Sequence, residues 1–456
     1  MRALRLFVPL FCATSLLVAT ARAANGDLDS GFHSPFGYST YAFDLGNGGN
    51  NADYTQAVLV QSSGNVVLVG RSISGASSDV IALTRLLPDG SLDNSFGTGG
   101  ATTFSLASGA YNSGEPYVNA AALDTQGRIL ITGSTATDDC SYIARFTANG
   151  LIDNSFATGG VYVACPAAGF YIRFWDIAVD SSSRPVVAGV YATLNGDLTV
   201  SSDLLAFRLT STGQPDTGFN GGSFFTRSVG YVANSKDRAG AVAFDSAGRI
   251  YLGGAAQQAT DDAEVVLRLT SAGVADNSCG SSGVANLGAV ANSGFFPTAV
   301  LLRDAHHVFL AGTSTNNNNV TQTAVAYAEL DADTCAPGSS GITIPASGSA
   351  MAARAAAASD GAVYLSYSQL TSTQVGAPRL SAIQAFYDTL PYNGSQYGIY
   401  SNQNSYGQGI NLVGGRPLQA LEQQYSGADY DFAVARFEND RIFFGNFDRD
   451  GAKATF

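Results

Sequence analysis

Apolar and polar positions alternate along this chain in short runs, and the runs recur in a fixed order. The clearest example is Gln56-Ala57-Val58-Leu59-Val60-Gln61-Ser62-Ser63-Gly64-Asn65-Val66-Val67-Leu68-Val69-Gly70. An apolar strand, a polar turn with Gly, and a β-branched strand that stops at Gly together predict a β-hairpin. Equivalents run from Ala120 to Gly133, Ile177 to Gly189, Ala241 to Gly253, Ala299 to Gly312, Ala355 to Ser366 and Ile410 to Leu421. After a variable polar loop a third strand follows each hairpin, as at Val80–Leu86, Tyr142–Phe146, Leu204–Leu209, Val265–Leu269 and Phe432–Phe437. Next comes the turn Pro88-Asp89-Gly90-Ser91-Leu92-Asp93-Asn94-Ser95-Phe96-Gly97-Thr98-Gly99-Gly100, then a short fourth strand such as Ala101–Phe104.

That turn organises the chain. It recurs around Gly150, Gly213 and Gly273, at spacings of 60, 63 and 60 residues, with an earlier copy at Asn25–Phe32 and a worn one at Asp331–Cys335. Repeats of this length mean a repeat architecture. Asp-Gly and Asn-Gly pairs supply positive φ, Asp and Asn side chains bond nearby backbone, and the apolar Leu and Phe peg the loop to the sheet. Four strands per unit and seven units predict an all-β fold, a seven-bladed β-propeller of four-stranded antiparallel blades. The Ala-rich first strand (Ala120–Ala122, Ala355–Ala358) suits the crowded inner position. A linear solenoid or two sandwiches are the competing architectures, but solenoid coils are shorter and sandwiches need not repeat their turn chemistry. Because the seventh unit runs out after its third strand, residues 38–45 are expected to supply its outer strand and close the ring.

Composition agrees with a chain of strands and turns: 52 glycines, two lysines (Lys236 and Lys453) and five glutamates. Residues 1–23 read as a signal peptide, with Arg2 and Arg5, an apolar run from Leu6 to Val18, and Ala21-Arg22-Ala23 as a cleavage site. The domain plan is therefore a signal at 1–23, the propeller at 24–440, and a short tail at 441–456. No other stretch is long and apolar enough to span a bilayer. Lys and Arg number 23 against 36 Asp and Glu, and this acidic balance argues against nucleic acid as a partner. The expected address is secreted, and the expected partner a protein or glycan.

The Ala-Val-Ala-like strand, the polar-x-Gly turn, the Val-Ala-Gly-like end, the Ala-x-x-Arg-Leu/Phe strand and the Asp-Gly-Ser-Leu-Asp-x-Ser-Phe-Gly-x-Gly-Gly turn together resemble the delta-60 repeat family of bacterial β-propellers. The resemblance is carried by residues 57–100, 120–160 and 241–280 and fades after about 290. It implies an exported or surface propeller and brings no catalytic residues with it. The tail Arg441-Ile442-Phe443-Phe444-Gly445-Asn446-Phe447-Asp448 also resembles a Phe-rich ending of some exported bacterial proteins.

Candidate chemistry is sparse. Only His33, His306 and His307 occur, and no Gly-x-Ser-x-Gly elbow is present, which disfavours a Ser-His hydrolase. His306 and His307 are adjacent and would point to opposite faces of a strand, a poor start for zinc. Asp89, Asp93, Asp153, Asp216 and Asp276 recur in the turns, but the strict alternation of a calcium loop is missing, so their role reads as structural. No cofactor and no metal is expected. The single tryptophan, Trp175, with Tyr171 beside Phe170 and Phe174, is the candidate ligand-facing cluster; packing between blades is the simpler role for it. The tyrosine-rich segment 386–406 has the composition of a wet recognition surface, or of a half-exposed outer strand. These features lead to the expectation of a non-enzymatic binding or surface scaffold, with a carbohydrate-active enzyme using channel-mouth carboxylates as the alternative.

Four cysteines remain after the signal. Cys140 opens a third strand and Cys165 ends the fourth; a register that sets Phe146 near Val161 brings them nearly opposite, within disulfide reach. Cys279 and Cys335 each stand where other turn copies carry Phe, which predicts a second bond between adjoining blades.

Overall fold

The computed structural model describes residues 28–45, 51–73, 79–106, 116–135, 140–194, 200–289, 293–316, 319–343, 350–370, 379–387, 390–397, 405–426 and 429–438. The expected signal and the Phe-rich tail lie outside them. Within the described residues the protein is all-β apart from one 3-10 turn at Asn220–Gly222, and its strands form four-stranded antiparallel sheets. In chain order these are Asp53–Val60, Val66–Ile73, Asp79–Leu86 and Ala101–Phe104; Pro116–Leu123, Ile129–Thr135, Ser141–Phe146 and Val161–Ala164; Phe170–Val179, Pro185–Leu194, Val200–Arg208 and Phe225–Arg227; and Arg238–Phe244, Ile250–Gln257, Asp262–Leu269 and Val284–Ala289. There follow Ser293–Leu302, His307–Asn316, Asn319–Asp331 and Pro337–Thr343; Ala350–Ala357, Val363–Leu370, Arg379–Tyr387 and Leu390–Tyr397; and Ser405–Val413, Arg416–Ser426 and Asp429–Arg436. This last sheet takes Tyr38–Tyr41 as its fourth strand, with Tyr38 opposite Ala435 and Tyr41 opposite Phe432.

First strands of successive sheets touch one another, and that of the last sheet touches Asp53–Val60. They surround a common channel of about 210 Å³. The cores lie between neighbouring sheets, as where Val67, Val69, Ile81 and Leu83 meet Val118, Ile129, Ile131 and Ala144. Such interleaving follows from the alternation of the strands, which sends successive apolar side chains to the two flanking sheets.

Chain direction gives the two ends of the channel different chemistry. One face carries the hairpin turns and the repeated Asp turns; the other, the loop face, carries the strand ends at which second strands finish and third strands begin, with described loops at 165–169, 228–237 and 258–261. On the turn face five of the copies form the same latch. Arg85 Nε donates to Asp93 Oδ2 at 2.8 Å, its Nη2 to Ser95 Oγ at 3.2 Å, and its Nη1 to the carbonyl of Ala148 in the next repeat at 2.9 Å. Phe96 lies 4.9 Å from that guanidinium and is fully buried over Gly150. A Cβ on Gly150 would come within 2.4 Å of the ring, so the Asn-Gly of the turn is also a docking surface. Arg145, Arg208, Arg268 and Arg436 repeat the arrangement with Asp153, Asp216, Asp276 and Asp29.

The sulfurs of Cys140 and Cys165 are 2.11 Å apart, with Cα atoms at 4.3 Å. The register differs from the expected one by two residues: Ala144, not Phe146, faces Val161, and Phe146 bridges Ile152 inside the turn. Ser141 faces Ala164, so the two cysteines lie one step beyond a true pair. Cys279 and Cys335 have sulfurs 2.01 Å apart and are both buried; their bond occupies the place where other repeats set Phe on Gly. Among the described residues no helix is long and apolar enough to cross a membrane.

Candidate active site at the channel mouth

Every first strand carries one break in register against its second strand. The shifts fall between Thr55 and Ala57, Val118 and Ala120, Phe174 and Asp176, Ala239 and Ala241, Pro297 and Ala299, Ala352 and Ala355, and Gly407 and Ile410. The extra residues include Gln56, Asn119, Trp175, Thr298, Arg354 and Gln408, polar or aromatic groups in otherwise apolar strands. Bulges bend a strand and re-aim side chains, and they gather beside functional sites. They also account for the Gly opposite the bulge in four second strands, Gly70, Gly133, Gly189 and Gly312: a Cβ on Gly133 would lie 1.7 Å from the carbonyl of Tyr117.

Two residues before the bulges, toward the loop face, stand Tyr54, Tyr117, Arg173, Arg238, Phe296 and Tyr406. Rings and guanidiniums interleave here. Arg71 lies 4.2 Å over the Tyr54 ring and 5.2 Å from that of Tyr117 while pairing with Asp79. Arg238 lies 4.5 Å over Phe296, which is 49 % exposed, and pairs with Asp262. Tyr430 packs 6.0 Å from Tyr54 and 6.1 Å from Tyr406.

Glu422 sits behind this rim. It is buried, and Gln408 in the bulge donates to its Oε1 at 3.0 Å. Burial pushes its carboxyl up to about 8, against the opposing pull of Arg71 and Gln408. Glu264 is pushed to about 7 by burial alone. Asp53 also reaches about 7, through burial and the charges of Asp431 and Asp44, although the Phe43 N–H donates to it at 2.6 Å.

Below the rim the channel is crossed. Arg354 Nη1 pairs with Asp176 Oδ1 at 2.6 Å, and its Nη2 donates to the carbonyls of Asn119 and Trp175 at 3.0 and 3.2 Å. One side chain thus ties three first strands together. Burial raises the Asp176 carboxyl, while Arg354 and the N–H of Val242, at 2.9 Å, pull it back.

Of the residues singled out from sequence, Trp175 lies in a bulge and is half-buried, with its carbonyl on Arg354. Tyr171 lies four residues upstream, half-buried, its ring 5.8 Å from the Arg173 guanidinium. Phe174 leaves the expected cluster: strand alternation sends it fully into the core, 6.5 Å from Phe224. The turn acids stay with the latches, where Ser95, Ser155 and Ser278 join the arginines in holding Asp93, Asp153 and Asp276 below the usual carboxylate range despite burial. His306 and His307 are exposed beside Asp333 and Asp304. Among the described residues no three His, Cys, Asp or Glu side chains cluster as metal ligands. Side chains of the tyrosine-rich segment before Tyr406 lie outside the described residues. Glu422, Arg71 and Arg354 were not reached from sequence; a polar residue at one fixed place in five of the first strands, with Trp175 and Gly240 in the other two, was the signal available.

Four-stranded antiparallel sheets set around a channel define the class, a β-propeller. Residues 61–96 and 127–156 match the profile of a family described as "Domain of unknown function (DUF5122) beta-propeller". Both matched stretches end on the latch phenylalanines, Phe96 and Phe156, so the propeller resemblance read from the repeats is supported on the residues that carried it. No curated protein matches the chain.

Among solved structures, a polysaccharide lyase described as an ulvan lyase is similar over 87 % of this chain and 98 % of its own, at 9 % identity and a TM-score of 0.50. The polysaccharide lyase Uly1 covers 85 % and 90 % at 11 % identity and 0.48. Trypanosoma rangeli sialidase covers 90 % and 59 % at 8 % identity and 0.43. At these identities the likeness is one of fold. The expectation of a non-enzymatic scaffold is corrected on this point: it rested on finding no catalytic motif, and the ulvan lyase shows that this fold carries an enzyme.

Proposed function

We propose that the protein is an exported carbohydrate-active β-propeller whose glycan binds at the loop-face mouth of the channel, with Glu422 as general acid. The observation that carries the reading is a buried carboxyl raised to about 8, hydrogen-bonded to bulge residue Gln408, behind a rim of Tyr54, Tyr117, Tyr406 and Arg71. Rings offer flat apolar faces to sugars, amides and guanidiniums meet hydroxyls, and a carboxyl still protonated near neutrality can protonate a leaving glycosidic oxygen. The polysaccharide lyases and sialidase of similar fold agree with this substrate class. Trp175 and Tyr171 would add contacts from the third sheet.

The same reading takes the sheets as seven blades of one ring, closed by Tyr38–Tyr41, spanning residues 24–440 after removal of 1–23. Two disulfides suit an oxidising compartment. Purified protein screened on a glycan array and against soluble polysaccharides tests the proposal. Binding together with release of saccharide ends, lost in Glu422→Gln, is the expected result; failure to bind or cleave any glycan would overturn it.

A further inference from the structure

A second concavity lies on the opposite face, away from the channel mouth. It is a crevice of about 410 Å³ between the second and third sheets, lined by Thr125, Gln126, Arg128, Arg145, three consecutive serines Ser181–Ser183, and Ser155, Ser211 and Thr212. Every residue lining it carries a hydroxyl, amide or guanidinium group. Thr125 and Ser183 span it with a 2.6 Å hydrogen bond between their hydroxyls.

Its two guanidiniums are unequally engaged. Arg145 is almost fully committed: Nε to Asp153, Nη2 to Ser155 Oγ, and Nη1 to the carbonyl of Ser211. Arg128 donates through Nε to Asp124 at 2.6 Å and makes a looser ion pair through Nη1 with Asp153, at 3.8 Å. Among the described residues its terminal N–H groups meet no acceptor within hydrogen-bond distance, and Ser181, Ser182 and Ser211, whose hydroxyls make no hydrogen bond among those residues, line the same crevice. Burial and the neighbouring charge of Arg128 both lower the pKa of Arg145, so the two cations oppose each other here. Asp124 and Asp153 balance the charge, but the surplus of donors remains. Acceptor-rich oxyanions answer such a surplus, because a guanidinium edge with flanking hydroxyls matches two or more oxygens at once.

We propose that this crevice is a separate binding site for a small oxyanion, the sulfate, phosphate or carboxylate group of a free ion or of a glycan substituent. Arg128 and the serines Ser181 and Ser182 would hold it. The site stands on its own and does not need the channel mouth to bind sugar.

The test is calorimetric titration of the intact protein with sodium sulfate, sodium phosphate and sodium glucuronate, each against sodium chloride at matched ionic strength. Saturable binding of at least one oxyanion, weakened about tenfold or more by Arg128→Gln, is expected, since a lost charge-assisted contact is of that size. Ser182→Tyr, which fills the crevice without touching an ion pair, should weaken it likewise, and Glu422→Gln should leave it unchanged. Glucuronate bound more tightly than the inorganic ions would assign the site to a glycan substituent, and the reverse order to a free ion. Absence of saturable binding to all three, or binding that both crevice variants leave intact, would overturn the proposal.

Discussion

Glu422 owes its behaviour to where its strand puts it. A carboxyl deprived of water keeps its proton until the pH passes its raised value, here about 8. If it serves as general acid, turnover should hold through neutrality and fall as pH rises through about 8, and Glu422→Gln should lower it by about 100-fold or more. Rates measured across pH 5–10 for both proteins check this; a variant as active as the parent at every pH would remove Glu422 from the mechanism. Phe96 offers a residue-scale test of stability. Fully buried over Gly150, it should cost about 3–5 kcal/mol when replaced by Ala, read as a shifted denaturation midpoint.

At the scale of the element, the latch shows what the sequence revealed and what it hid. Asp-Gly turns, a Phe peg and an Arg in the third strand are local signals, so strands and turn copies could be read directly. That Arg85 reaches the Ala148 carbonyl of the next repeat, and that Phe96 rests on Gly150, depends on how sheets stack, which no single repeat states. The bulges were missed for a related reason: alternation predicts straight strands, and Gln56 and Asn119 stand at or just before the start of the apolar runs from which strands were read. Register within a pair is weaker still, and the two-residue offset between Phe146 and Val161 arose because Phe146 is consumed by the turn bridge to Ile152.

Disulfides belong to this scale too. Replacing Cys140 and Cys165 with Ser opens a loop of sequence separation 25 and should cost about 3.5 kcal/mol on the chain-entropy model. Opening the Cys279–Cys335 loop, with separation 56, should cost about 4 kcal/mol. Denaturation of each variant beside the parent decides whether the second bond replaces a Phe latch in energy as well as in position.

For the whole molecule, two sets of acids pull stability in opposite directions with pH. Asp93, Asp153 and Asp276, held below 3.8 by their serines and arginines despite burial, stabilise the fold at pH values above that and lose this as pH falls below it. Asp53 and Asp431, raised to about 7 and about 6 mainly by burial, bind more protons folded than unfolded. Their contribution is present below about 4 and is lost as pH climbs toward 7. Stability should therefore peak near about pH 4 and decline toward pH 8, and Asp53→Asn should flatten the alkaline side. Calorimetric melting across that range measures it; a melting temperature still rising from pH 5 to 8 would contradict the assignment.

Tyr38–Tyr41 lies beside Phe432–Ala435, so a strand made before the intervening sheets is completed only by one made after them. While the chain is still being made, the sheets between can pair and stack one after another, because the latches of Arg85, Arg145, Arg208 and Arg268 join neighbours in sequence. The final seam cannot. Until residues 429–436 emerge, the edge of that sheet has no partner, and strand-rich edges left open invite pairing with other chains. The protein's most exposed moment is thus the interval before its two distant ends meet, and a chaperone that shielded Tyr38–Tyr41 would protect the whole assembly by covering four residues.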